Sequence, residues 1–493
     1  MIRPIAEFTA HLKDAAQLIG ATPTSLDLIF TGISHSDKDV EPGDLFLAIP
    51  GTRFHGADFI KSAKTKGAVA VITDARGEKI DSSLPTLVVS DVRVAGALLA
   101  SSLYKYPMRD LVSIGITGTN GKTTVSTLLY QIFQAVGRET GLIGTVETRI
   151  GVEHMSSTRT TPEAPELQAL AAVMRERHVR NLVMEVSSHA LSMGRMKGSH
   201  FAIAAFTNLS QDHLDFHKDM ESYFQAKASL FTNEYADAVL INIDTPYGAR
   251  LAEDTKLTLR KISRFNSQAD WHFTSLNAKS NGADFSIRGS GGILIESQTL
   301  LHGNYNADNL LLALALAHEC GVDPLELAAV APQLTGAVGR LDAVVLGQPF
   351  KAFVDYAHTP DAVTNVLSAV REFTPGRIIA ILGCGGDRDA AKRPLMGKAL
   401  NSGSDISIFT SDNPRSEDPL LILQEMTVGI EVRSPSAVIE DRRTAIECAV
   451  ALAKKDDTIL VLGKGHEQGQ EIAGTVHPFD DRLVLAAAIE GRG

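Results

Sequence analysis

Leu111-Val112-Ser113-Ile114-Gly115-Ile116-Thr117-Gly118-Thr119-Asn120-Gly121-Lys122-Thr123-Thr124 is the stretch from which the rest of the chain can be read. An apolar, β-branched run leads into a glycine-bearing turn, and a helical pattern follows from Val125 to Val136. Strand, glycine loop and helix in that order make a phosphate loop. Glycines let backbone N–H groups approach phosphate oxygens, the helix start adds positive potential, a lysine reaches the outer phosphates and a hydroxyl can hold a magnesium ion. Those roles fall to Gly118, Thr119, Asn120, Gly121, Lys122, Thr123 and Thr124, and they predict ATP binding. The spacing departs from G-x-x-x-x-G-K-[ST], because Ile116 stands at the first glycine position and Gly118 is the nearer glycine.

Outward from this loop, strand-like runs Asn181–Glu185, Ile203–Thr207 and Ala238–Ile243 alternate with helical stretches, which predicts a parallel sheet with crossover helices. Gly289-Ser290-Gly291-Gly292 lies between two further strand-like runs and reads as a hairpin loop. Two strand ends carry ligand-type side chains after an apolar run: Glu185 in Met184-Glu185-Val186-Ser187-Ser188-His189, and His213 in Asp212-His213-Leu214-Asp215. Lys227 sits on an apolar helical stretch, where spacing alone does not separate a snorkelling surface lysine from a functional one.

Upstream, short strand and helix patterns fill residues 1–107, ended by Tyr106-Pro107, since the residue before proline is driven from the α region. Downstream of Gly339-Arg340, a second βα series runs through Ala352–Val354, Ile378–Leu382, Ile406–Phe409 and Thr458–Leu462. The expectation is three α/β domains: 1–107, 108–336 with the ATP site, and a Rossmann-like 337–493. A chain of 493 residues fits that number at roughly 100 to 200 residues per domain. The loops that follow the last four strands contain Asp355 and His358, Arg388, Asp412-Asn413-Pro414-Arg415, and Gly463 with Glu467. In a parallel sheet they meet at the carboxyl edge, where open α/β sheets bind ligands. Arginines can fork onto carboxylates and acids can accept from ammonium groups, so the expected ligand is zwitterionic and amino-acid-like.

Composition narrows the classes. Apolar residues form 44% and charged residues 21%, the balance of a globular protein. The net charge of −11 disfavours a general nucleic-acid binder, which needs a basic surface. Cys320, Cys384 and Cys448 lie far apart, without a disulfide or C-x-x-C pattern, and His466-Glu467 has no second histidine at zinc spacing. Met1–Glu7 lacks a secretory pattern, and no apolar run approaches the roughly 20 residues of a bilayer span. A cytoplasmic monomer acting on small molecules is expected.

The motifs above, with His302-Gly303-Asn304-Tyr305-Asn306 and Gly339-Arg340, resemble the Mur ligase family over essentially the whole chain, nearest its diaminopimelate-adding members. The resemblance implies ATP-dependent amide formation: the D-glutamate of UDP-N-acetylmuramoyl-L-alanyl-D-glutamate becomes an acyl phosphate, and meso-diaminopimelate displaces phosphate, in cytoplasmic peptidoglycan precursor synthesis. It further implies Asn309, Arg340, Asp355 and His358 at the nucleotide. Mg²⁺ would be held by Thr123, Glu185, His213 and Lys227, the last as a carbamate. The sugar-peptide substrate would meet Ser36, Thr160, Thr161, Ser187 and Arg195. His35-Ser36-Asp37-Lys38 differs from the family's D-S-R order and leaves both Ser36 and Asp37 as residues facing uridine. Diaminopimelate would be recognised by Arg388, Asp412 to Arg415, Gly463 and Glu467. Diaminopimelate differs from lysine by a second carboxylate, and lysine would leave the arginine pair Arg388 and Arg415 unsatisfied. The same ligase using L-lysine, a folylpolyglutamate synthase-like ligase and a non-catalytic nucleotide-binding protein are the alternatives.

Overall fold

The computed structural model describes residues 2–21, 27–51, 54–156, 159–279 and 282–492. Three sheets organise them. Gly32–Ser34, Asp44–Leu47, Ala70–Thr73 and Thr86–Val88 form a four-stranded parallel sheet in chain order. Its helix Val92–Leu103 packs on the helix Ala164–Glu176 that follows the central sheet's edge hairpin, joining the first core to the second.

The central sheet has eleven strands. Val112–Thr117 lies in its interior, between Asn181–Glu185 and Phe201–Phe206, and pairs in parallel with both. Thr140–Ile143, Ala236–Asn242 and Thr258–Ser263 extend the parallel set outward. One edge is closed by the hairpin Glu147–Ile150 and Glu153–Ser156. At the other edge Trp271–Lys279 pairs with Gly282–Arg288, which pairs with Leu294–Thr299, all antiparallel. Gly289–Gly292 connects these last two strands with Arg288 opposite Leu294, which is the expected hairpin. Asn181–Glu185 is buried along its whole length, as a parallel strand covered on both faces must be.

The helix after the phosphate loop spans Lys122–Ala135. Val125, Leu128, Leu129, Ile132 and Phe133 recur at helical spacing, are buried, and share one core with the apolar helix Asn304–Glu319. The expected helix started three residues later; the residue that sets the true start is Gly121, whose φ of +87° makes the turn into it.

The third sheet runs Asp342–Ala343, Lys351–Asp355, Thr458–Leu462, Ile378–Leu382, Ile406–Phe409, Ala437–Val438, parallel except for the first pair. Thr458–Leu462, last of these strands in the chain, is inserted between Lys351–Asp355 and Ile378–Leu382. This strand insertion is a topological switch point, where loops diverge and leave a crevice.

Candidate active site

The phosphate loop leaves Val112–Thr117 at the centre of its sheet. Gly118 has φ +150°, and a Cβ there would lie 1.9 Å from Thr207 Oγ1. At Gly121 a Cβ would lie 2.4 Å from Asn309 Oδ1. Only glycine lets the neighbouring loop and the Asn304–Glu319 helix come this close. Lys122 Nζ donates to the carbonyls of Gly118 (2.9 Å) and Thr119 (2.8 Å). Lys227 Nζ donates to the same Gly118 carbonyl at 2.7 Å and is 1% exposed, so it is not a snorkelling surface residue. Burial, then the neighbouring Lys122, holds the Lys227 amine well below the usual lysine range. Burial lowers Lys122 as well.

Glu185 is fully buried, and its carboxylate accepts from Thr123 Oγ1 (3.1 Å), Thr145 Oγ1 (3.0 Å) and Thr145 N (2.8 Å). His213 starts a short helix with φ +53° and packs edge-on against His189, ring centroids 4.8 Å apart. Burial drives its imidazole down to about 3, with His189 and Lys122 acting in the same direction. Asp212 is buried next to it. Desolvation opposes its charge, yet His358, His213 and Lys392 hold the carboxyl down to about 2. Two of those groups belong to the third sheet's domain: His358 Nε2 lies 3.8 Å and Lys392 Nζ 3.7 Å from Asp212.

Arg340 crosses the same boundary. Its Nη2 donates to Thr123 Oγ1 at 3.4 Å, and its guanidinium covers the Tyr356 ring at 4.4 Å. Asp355 accepts from the N–H groups of Leu341 (2.6 Å) and Ala357 (2.8 Å), and His358 Nδ1 meets the Tyr356 carbonyl at 2.8 Å. A cavity of about 300 Å³ is lined by Gly121, Thr124, Asn309, Arg340, Asp355 and His358. Beside it, about 140 Å³ is lined by Lys122, Thr123, Glu185, His213 and Lys227, together with Thr160 and Ser187.

A third cavity of about 240 Å³ receives Arg388, Asp412, Asn413, Arg415, Gly463 and Glu467. All six predicted diaminopimelate residues other than Pro414 therefore line one space; Pro414 is buried in the loop between Asn413 and Arg415, and its carbonyl packs on Gly386. Arg415, at φ +53°, donates to the Gly386 carbonyl at 2.7 Å and pairs with Glu471 at 3.4 Å. Arg388 donates to the Asp387 carbonyl at 3.1 Å.

The sugar-peptide set is more dispersed. Thr160 Oγ1 meets Thr145 Oγ1 at 3.0 Å, Thr161 Oγ1 donates to the Glu185 carbonyl and accepts from Ser187 N, and Arg195 pairs with buried Glu163 at 2.9 Å. Arg93 and Arg159 approach the same Glu163 carboxylate at 3.5 and 3.7 Å. Ser36 is on the first domain's loop next to His35, whose imidazole is lowered by burial and feels Glu163 and Arg195. Asp37 accepts from Ser62 Oγ at 2.7 Å.

Sequence reading missed several contributors. Thr145 and Lys392 belong to no motif and reach the site only through packing, while Tyr356 lies within the Asp355–His358 loop but had no assigned role. Arg442 and Asp481, both fully buried, pair at 2.6–2.7 Å, and Arg442 also donates to the carbonyls of Ser411 and Leu462, tying two loop bases together. Lys464, between two glycines after a buried strand, had a legible position but no assigned role.

Profiles of the Mur ligase middle domain, the Mur ligase glutamate ligase domain and the Mur ligase family catalytic domain match residues 116–317, 339–465 and 30–101. The UDP-N-acetylmuramoyl-L-alanyl-D-glutamate–2,6-diaminopimelate ligase of Streptomyces avermitilis is 48% identical over 99% of this chain and 98% of that protein. The chain belongs to the Mur ligase family. A solved structure of a diaminopimelate ligase of the same name superposes on this Mur ligase with a TM-score of 0.67 at 32% identity, covering 98% of the chain and 99% of the other. Mycobacterium tuberculosis folylpolyglutamate synthase shares the fold at 18% identity and a TM-score of 0.60, but over only 76% of this chain. The three-domain α/β fold of the family is the one observed. No helix among the described residues is long and apolar enough to cross a membrane.

Proposed function

We infer that the protein is an ATP-dependent ligase that joins meso-diaminopimelate to the D-glutamate of UDP-N-acetylmuramoyl-L-alanyl-D-glutamate, in cytoplasmic peptidoglycan precursor synthesis. The observation that carries this is the adjacency of the cavities. Asp212, His213, Tyr356 and His358 line both the phosphate-loop cavity and the acid and arginine pocket. A carboxylate activated in the first is thereby within reach of an amine held in the second, and holding two reactants in contact removes much of the entropic barrier.

In this reading residues 1–107 bind the UDP-sugar, 108–336 bind ATP and 337–493 bind the amino acid. The loop from Gly118 to Thr124 cradles the phosphates, while Asn309, Arg340, Asp355 and His358 hold the nucleotide from the far side. Lys122 faces the transferred phosphoryl group and stabilises charge that grows in the transition state. Ser36, Thr160, Thr161, Ser187 and Arg195 orient the sugar-peptide so that its γ-carboxylate enters the Lys122 cavity. The carboxylate attacks the γ-phosphorus, ADP leaves, and the amine then displaces phosphate from the acyl phosphate. Amide formation in water is uphill, and ATP cleavage drives it.

A magnesium ion suits this donor set. Mg²⁺ takes oxygen ligands from one or two carboxylates plus substrate phosphates and keeps several waters. Thr123 and Glu185 supply such oxygens, and His213 adds a nitrogen beside them. When bound, the ion would neutralise phosphate charge. Burial and the neighbouring Lys122 disfavour the charged form of Lys227; the uncharged amine is the form that combines with carbon dioxide, and its carbamate would add a carboxylate-like oxygen.

The deciding measurement is phosphate release from ATP with the UDP-muramoyl dipeptide and either meso-diaminopimelate, L-lysine or no amine, with product mass as readout. Release and a mass gain with diaminopimelate alone is the expected result. Gain with lysine overturns the arginine-pair reading, and no gain with either overturns the ligase reading.

A further inference from the structure

Behind the amino-acid pocket, against its lining residues Asn413 and Glu467, lies a buried lysine with no place in the reaction described so far. Lys464 is fully buried, on the loop after Thr458–Leu462. Its Nζ donates to Asn413 Oδ1 at 3.1 Å and to Glu467 Oε2 at 3.1 Å, and lies 4.0 Å from Asp412 Oδ1. Asn413 completes a ring: its Nδ2 donates to the same Glu467 Oε2 at 2.7 Å, and its Oδ1 also accepts from Glu471 N at 2.9 Å. The amide orientation of Asn413 is thus set by two donors on its oxygen. Among the described residues, both hydrogen bonds to the Glu467 carboxylate fall on Oε2, so Oε1 is the oxygen left for a ligand.

Charge points the same way. Asp412 and Glu467 together carry two negative charges beside the cavity, and Lys464 cancels one of them. Without that ammonium, the buried Asp412 and the half-buried Glu467 would favour uptake of a proton by one of them, because neighbouring like charges disfavour joint ionisation.

We propose that Lys464 is a positioning residue for amino-acid specificity, fixing Asn413 and Glu467 so that Glu467 Oε1 accepts from an ammonium of the incoming diamino acid. The inference rests on the ligase reading above and names the residue that aligns its amine-binding acid.

The test is steady-state kinetics of the full chain with Lys464→Met, Glu467→Gln and the double variant, varying amino acid, ATP and UDP-muramoyl dipeptide in turn. Charged hydrogen bonds of about 1.5–3 kcal/mol predict a rise in the amino-acid KM of roughly 10- to 100-fold for Lys464→Met, with KM for ATP and the sugar-peptide within about twofold. In the Glu467→Gln background the same substitution should add less than about threefold, because Lys464 acts through Glu467. Lys464→Gln, which keeps a neutral donor, should fall between wild type and Lys464→Met. Equal costs in both backgrounds, or matching rises in all three KM values, overturn the proposal. So does failure of both Lys464 variants to fold, which would assign the ammonium to holding the domain together. Wild-type protein that turns over with no amino acid overturns the ligase reading and this inference with it; active wild type with an unmoved amino-acid KM in the variants overturns this inference alone.

Discussion

The phosphate-loop cavity and the amino-acid pocket are both at carboxyl ends of parallel strands, yet they are built from different material. The first is made by seven consecutive residues whose backbone does most of the contacting: glycines at φ +150° and +87°, a helix start, and one lysine folded onto Gly118 and Thr119. The second is made by side chains from four loops, held by the buried ion pair Arg442–Asp481 and by the part-buried pair Lys464–Glu467. A site made of backbone is robust to surrounding side chains and generic in what it binds. A site made of paired charges is specific, and fails when one partner is removed, since a buried charge left alone costs more than the pair contributes.

That contrast can be broken in graded steps. Arg442→Met should have the largest effect on folding, about 3–5 kcal/mol lost in denaturant unfolding, because Asp481 is left buried without its partner. Destabilisation under about 1 kcal/mol would mean that the pair is relaxed by solvent and that the loop bases do not depend on it. Lys122→Ala should lower kcat by roughly 10²–10³ with little change in melting temperature, the scale for losing one preorganised donor at a developing charge. An equal loss of stability would make the loop's lysine structural.

Asp212→Asn probes the seam between the two sites. It removes the charge that His358 and Lys392 face across the domain boundary. A drop of about 10-fold in kcat/KM for the amino acid and for ATP together is expected, from the loss of charged interactions of about 1.5 kcal/mol. A change for one substrate only would show that the cavities are aligned by other contacts.

The smallest effect is on pH. Burial, followed by Arg340, lowers the His466 imidazole to about 4, and burial with His189 lowers His217 to about 4. Between pH 6.5 and about 4 the unfolded chain binds these protons and the folded chain does not, so stability is intact above pH 6.5 and falls as pH drops through that window. His466→Gln should flatten this slope by on the order of 1 kcal/mol between pH 7 and 5, read from unfolding midpoints. An unchanged slope would place the titration elsewhere.

Much of this molecule was legible in the chain. Asn181–Glu185, Ile378–Leu382, Ile406–Phe409 and Thr458–Leu462 have the same bounds in the structure as in the sequence reading, because buried parallel strands are continuous apolar runs ended by polar loops. Helix starts were less legible: Lys122 to Thr124 are polar residues that the apolar pattern excludes, yet they are helical because Gly121 turns the chain into register. Lys227 could be read either way until its burial against Gly118 was visible, since one lysine on an apolar helix face has the same local sequence whether it is solvated or buried.

The sequence by itself determined the order of strands and helices, the glycine turns, and the types of side chain at each strand end. These are properties of neighbours in the chain, governed by φ/ψ preference and hydrophobic period. Tertiary structure alone decided which distant polar groups meet: Lys464 with Asn413, Arg442 with Asp481, and Asp212 with His358 and Lys392 from another domain. The physical reason is range. Backbone geometry is settled within a few residues, and so is the local pair Lys464–Glu467, three residues apart. A Coulomb interaction depends on distance and local dielectric, and the other pairs, 39 to 180 residues apart in sequence, acquire both only when the sheets and domains have packed.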